Sequence, residues 1–123
     1  MDFEPAPFTV TSRAQASTAR RKIREFAAVV VDADAAYDVE LMTAEGIANV
    51  IHHGSGDPVI TVRCNEKALR VEVSDDGPGL QIARRTDHGR GLGIIDELAA
   101  RWSLVTDESG TCLWFEVDRE VSE

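Results

Sequence analysis

Two short runs limit what this chain can fold into. VITVRC (59–64) and LRVEV (69–73) each alternate apolar and polar residues, and only NEKA separates them. Period-two alternation makes each run a half-buried strand, and so short a connection makes the pair a hairpin. The apolar face of such a hairpin needs a cover. The residues before it supply one. Ala16, Ala19, Ile23, Phe26, Ala27 and Val30 keep a helical spacing, while Arg20, Arg21, Lys22 and Arg24 fall largely outside it. Ser12 and Gln15 have capping-box spacing at the start. Asp32-Ala33-Asp34 breaks this helix from a second, roughly 35–53, which Gly54 and the GSGDP loop end.

The rest of the chain repeats the scheme. Residues 80–90 hold no clean period, and a third helix runs from about Leu92 to Ala100. Ile95, Leu98, Ala99 and Trp102 share one side. Trp102–Thr106 and Thr111–Val117 read as a closing hairpin across DESG, and Phe8-Thr9-Val10 as a short edge strand. The expected fold is a two-layer α/β (α+β) sandwich. Its sheet is mixed and mostly antiparallel, with helices on one face. The 123 residues fit one domain, 1–123, with its core between about 8 and 118.

Charge and composition exclude several functions. A net charge of −9 argues against nucleic acid as a direct partner, since that affinity depends on neutralising phosphates. No apolar run is long enough for a membrane span. MDFEPAPF has neither a basic nor an apolar leader region, so the expected location is cytoplasmic. Cys64 and Cys112 form no metal-binding spacing and lie in strand-like runs, which suits two buried, reduced thiols. His52 and His53 are adjacent, so they leave the helix in different directions and cannot pair at i,i+4 on a metal.

Three motifs carry chemistry. In EGIANVIHHG (45–54), Glu45 and Asn49 lie one helical turn apart on a common face. A carboxylate and a carboxamide oxygen there suit a hard cation such as Mg²⁺. Ala44, Ile47, Ala48 and Ile51 offer apolar surface beside them, and Gly46 is a mid-helix oddity that suits close approach of a backbone or ligand. In DDGPG (75–79), Asp75 ends a strand and Gly77 and Gly79 free the backbone to turn. A carboxylate accepts hydrogen bonds only, so Asp75 suits an exocyclic amino group such as that of adenine. In HGRGLGIID (88–96), Gly89, Gly91 and Gly93 open a helix, whose free N–H groups suit an anion, with Arg90 adding charge. Each motif alone also fits a plain structural reading: a solvated helix face, an acidic turn, a glycine-rich linker. Together and in this order they meet each requirement of a Mg-ATP site.

In that combination the chain resembles the GHKL (Bergerat-fold) ATP-binding domains, the superfamily that includes gyrase and the histidine kinases. EGIANVIHHG looks like the N box, DDGPG like the G1 box and GRGLG like the G2 box. The likeness is strongest to the small stand-alone anti-sigma-factor serine/threonine kinases, and runs from about residue 8 to 118 through ARRKIREF, LRVEVSDDGPGL, HGRGLGIIDELAARWS and GTCLWFEV. The resemblance implies roles. Glu45 is the expected general base and Asn49 the Mg²⁺ ligand. Asp75 reads adenine, and Gly77 and Gly79 shape its pocket. Gly89, Arg90, Gly91 and Leu92 cradle the phosphates, and Thr111 supports Asp75. It also implies phosphorylation of a STAS-type anti-sigma antagonist, binding of a sigma factor, and a homodimer, as is common in that branch. A non-catalytic, ATP-gated binding module is the alternative. Two positions depart from the family pattern: Gly46 stands where a bulky apolar residue is expected and Val50 where a small one is. Read as neighbours of the metal and phosphates, they bear on catalysis more than on nucleotide binding.

Overall fold

Alternation decides the architecture. A computed structural model describes residues 8–9, 13–53, 58–74, 89–107 and 110–119. Along the chain run β1 (Phe8–Thr9), α1 (Arg13–Val30), α2 (Ala33–His53), β2 (Val59–Cys64), β3 (Ala68–Ser74), α3 (Gly89–Leu98), β4 (Arg101–Asp107) and β5 (Gly110–Asp118). The strands form one sheet in the order β1-β2-β3-β5-β4. Every pairing among the described residues is antiparallel, in keeping with the mostly antiparallel sheet expected.

One face of the sheet is apolar and covered. Ile60, Val62 and Cys64 of β2, Leu69, Val71 and Val73 of β3, and Leu113, Phe115 and Val117 of β5 are buried there. From the helices, Ala19, Ile23 and Ala27 of α1, Val39, Met42, Ile47 and Val50 of α2, and Leu92 and Ile95 of α3 join them in one core. α2 is the central helix: it packs on α1 and α3 and lies against β3 and β5.

The other face of the sheet is polar and held by charge pairs across the strands. Arg70 donates to Glu116 at 2.9 Å and to Glu72 at 3.3 Å. Arg101 donates to the second oxygen of Glu116 at 2.7 Å and to Asp118 at 2.6 Å. Burial alone would raise the Glu116 carboxyl, but the bonds from Arg101 and Arg70 outweigh it and hold it below the ordinary carboxylate range. The Arg70 guanidinium also lies 3.9 Å from the Trp114 ring centroid. Such exposed pairs add little stability each, but opposite charges face one another only in this register. Cys112 shares this face, so it is half-buried, not buried like Cys64; both are free thiols.

Local chemistry sets the corners. Asp32 caps α2 by accepting the N–H of Ala35 at 2.8 Å, so the acidic DAD break is a helix start and α2 begins two residues before the expected 35. Asn65 closes the β2–β3 turn by accepting the N–H groups of Lys67 and Ala68 at 2.8 and 2.9 Å. Ser12, the expected cap of α1, lies outside the described residues.

One core residue breaks the polar rule. Thr43 is fully buried in α2, and its hydroxyl has no hydrogen-bond partner among the described residues. A buried unsatisfied hydroxyl costs about 1–3 kcal/mol. Thr43→Val keeps the shape and removes that cost, so it should stabilise the protein by about 1 kcal/mol, read as a higher denaturant midpoint. A loss of similar size would mean that the hydroxyl has a partner.

Candidate functional site

The described site candidates sit on the two helices that pack on each other, α2 and α3, and on β5. Glu45 and Asn49 lie in the last three turns of α2. Both are half-buried, and neither has a described hydrogen bond or ion pair, so both head groups are available. They present oxygen donors one helical turn apart, a donor set that fits Mg²⁺ directly or through its waters. Among the described residues no three of His, Cys, Asp and Glu gather into a metal cluster. Mg²⁺ keeps waters and takes further oxygens from phosphates, so it needs few protein ligands. Ile51, read as apolar surface beside this pair, is 52% exposed, whereas Ile47 is in the core.

Gly46 and Val50 do not flank that pair on the ligand side. One residue along a helix is a rotation of about 100°. That turn carries both positions to the sheet. Val50 is fully buried in the core. A Cβ placed on Gly46 would lie 3.1 Å from Leu113 Cδ2 and 3.4 Å from Val73 Cγ2. Leu113 and Val73 are partners across β3 and β5, so the missing side chain lets α2 settle onto the centre of the sheet. The close approach that Gly46 allows is therefore to core side chains. The signal was in the sequence: Val39, Thr43, Gly46 and Val50 follow a 4-3-4 spacing, which marks one stripe.

The glycine-rich segment forms the start of α3. The helix begins at Gly89, three residues before the expected Leu92. Gly89, Arg90 and Gly91 are thus its first three residues, positions whose N–H groups have no partner within a helix, and Leu92 is the fourth. They carry the positive end of the helix dipole, which suits phosphate. Leu92 buries its side chain in the core. The other end of α3 is tied to the sheet by Trp102, whose indole N–H donates to Asp96 at 2.9 Å. Trp102 belongs to β4 and packs against the core from there, not from the helix.

Asp75, Asp76, Gly77 and Gly79 lie outside the described residues, as do the guanidinium of Arg90 and the hydroxyl of Thr111. Their neighbours are placed. Ser74, the residue before Asp75, is the β3 partner of Cys112, the residue after Thr111 on β5. The two strands that lead into the proposed adenine contacts are therefore adjacent.

No helix among the described residues is long and apolar enough to cross a membrane. No curated protein matches the sequence significantly. The model of the histidine kinase-like ATPase domain matches residues 9–117, nearly the whole chain, and the chain belongs to that family.

Proposed function

We propose that this ATP-binding domain is a serine/threonine-protein kinase of the anti-sigma-factor type, cytoplasmic and Mg²⁺-dependent. It phosphorylates a STAS-type anti-sigma antagonist and binds a sigma factor. The observation that supports the nucleotide site most is the first turn of α3: of the four residues picked as phosphate contacts, Gly89, Arg90 and Gly91 fall on free N–H positions of a helix start. α2, which packs on α3, carries Glu45 and Asn49, which have no described hydrogen bond or ion pair. In this reading Asn49 holds Mg²⁺, and Mg²⁺ together with the helix dipole offsets charge on the phosphates. Glu45 takes the proton of the acceptor hydroxyl as the oxygen–phosphorus bond forms and the bond to ADP breaks. The acidic chain argues for protein partners over nucleic acid. The non-catalytic alternative drew its support from Gly46 and Val50, and both face the core.

Calorimetric titration with Mg-ATP, Mg-ADP and Mg-GTP tests the site. Guanine puts a carbonyl where adenine has its amino group, so Asp75 would face a second acceptor. An unpaired buried group costs about 1–3 kcal/mol, which is roughly a tenfold loss of affinity or more. ATP and ADP should bind saturably and GTP at least that much more weakly. Equal affinity for ATP and GTP would remove Asp75 as the adenine reader. No binding of any nucleotide by the folded protein would overturn the proposal.

A further inference from the structure

α2 is apolar on two sides. Val39, Met42, Ile47 and Val50 face the core. A second stripe, Tyr37, Leu41, Ala44, Ala48 and Ile51, repeats at 4-3-4-3 spacing, the seam of a two-helix coil. It points away from the sheet: Tyr37 is 54% and Ile51 52% exposed, and the residues between them are half-buried. Exposed apolar residues scattered singly need no explanation. A straight line of them over roughly 21 Å of helix is a surface that gains by being covered.

The charges beside the stripe differ in sign on its two sides. On one side is α1. Its Arg24 lies 3.2 Å from Glu40, and the guanidinium lies 5.9 Å from the Tyr37 ring centroid. A guanidinium has five donors, so Arg24, half exposed, keeps others beyond the one that Glu40 takes. Arg21, three residues earlier, shares that face of α1 and is exposed. On the other side Asp34 and Asp38 lie four apart on α2, with no described hydrogen bond or ion pair. They turn about 60° and about 100° one way round the helix from Tyr37, and Glu40 turns about 60° the other way.

This pattern selects one kind of occupant. A nucleic acid or an anionic membrane presents one sign of charge and would be repelled by Asp34 and Asp38. A helix of another protein can carry an apolar stripe with carboxylates on one flank and ammonium groups on the other, as paired helices do beside their seam. Ala44 and Ala48, small and central, let such a helix come close, with Tyr37 and Ile51 at the two ends.

We propose that the outer stripe of α2 is the seat of an amphipathic helix from a partner protein, its acidic flank on Arg21 and Arg24 and its basic flank on Asp34 and Asp38. The seat passes Glu45, which lies one turn from both Leu41 and Ala48, so the occupant borders the candidate site. The inference rests on the two faces of α2 and its charged flanks, and it stands whether or not the chain transfers phosphate.

NMR titration of the full, isotope-labelled chain tests it, with synthetic peptides of about 18 residues, enough to span the stripe. Each carries leucine at the seam positions. One has glutamate on one flank and lysine on the other, one has glutamate on both, and one has lysine on both. The two-signed peptide should bind at least roughly tenfold more tightly than either of the others, with amide shifts along 37–51. Ala44→Glu with Ala48→Glu puts charge on the seam and should weaken that binding roughly tenfold or more. Arg21→Glu, at an exposed position, should move the preference toward the all-lysine peptide. No binding of the two-signed peptide at millimolar concentration, equal binding of all three, or shifts that leave α2 untouched would overturn the proposal. So would binding of phosphatidylglycerol vesicles through the same residues, which would make the stripe a membrane-facing surface.

Discussion

Glu45→Ala should stop phosphate transfer while ATP still binds. General bases contribute roughly a hundred- to ten-thousand-fold to rate, and phosphoryl transfer has few other places for a side chain to act chemically. The structure makes this substitution a clean one. Glu45 is half-buried on α2 and has no described hydrogen bond or ion pair, so its removal orphans no partner. Alanine is also the best helix former, so α2 should persist. Transfer of labelled phosphate from ATP to a STAS-type antagonist, measured in a single turnover, should fall by at least about a hundredfold. The calorimetric affinity for Mg-ATP should stay within a few-fold of the parent.

Asn49→Ala supplies the contrast. If Asn49 holds Mg²⁺, its loss weakens Mg-ATP binding and transfer together, because the metal serves both. Transfer at the parental rate in Glu45→Ala would take the base role from Glu45. A loss of ATP binding in both variants alike would make the pair a binding element without a division of labour.

The strands were legible because a half-buried sheet writes its period into the sequence. VITVRC is β2 without change, and LRVEV is β3 less one residue at each end. Helix starts were harder. α3 begins at Gly89, where glycines lower local helix propensity and hide the first turn from a reading based on periodicity. α2 begins early because Asp32, not the residues after it, is the cap. Sheet order was not legible: β5 lies between β3 and β4, and a hairpin pattern shows that β4 and β5 pair but not which of them meets β3. Of the candidate site, Glu45 and Asn49 fell on one α2 face as their spacing requires, and the residues expected to hold phosphate fell on a helix start. The direction of Gly46 was misread, because a glycine has no side chain whose polarity would mark its face.

Gly46 also carries the largest expected effect on stability. A leucine there should destabilise the protein by about 2–3 kcal/mol, through overpacking. A bare Cβ already comes within 3.1 Å of Leu113 and 3.4 Å of Val73, and both residues are fully buried. Neither has open space to retreat into, so α2 must lift from the sheet. Gly46→Ala sets two terms against each other: a helix gain of about 1 kcal/mol and the cost of shifting the Leu113 methyl by a few tenths of an ångström. Its net effect should stay within about 1 kcal/mol. Denaturant unfolding of both variants, with ATP titrations beside it, separates packing from ligand contact. If Gly46 packs on the sheet, nucleotide affinity should fall only where stability falls, because Glu45 and Asn49 move with α2. If alanine weakened ATP binding with no change in stability, Gly46 would face the phosphates instead. A leucine tolerated without cost would mean that α2 can ride higher on the sheet, as the bulkier residue expected at this position of the family requires.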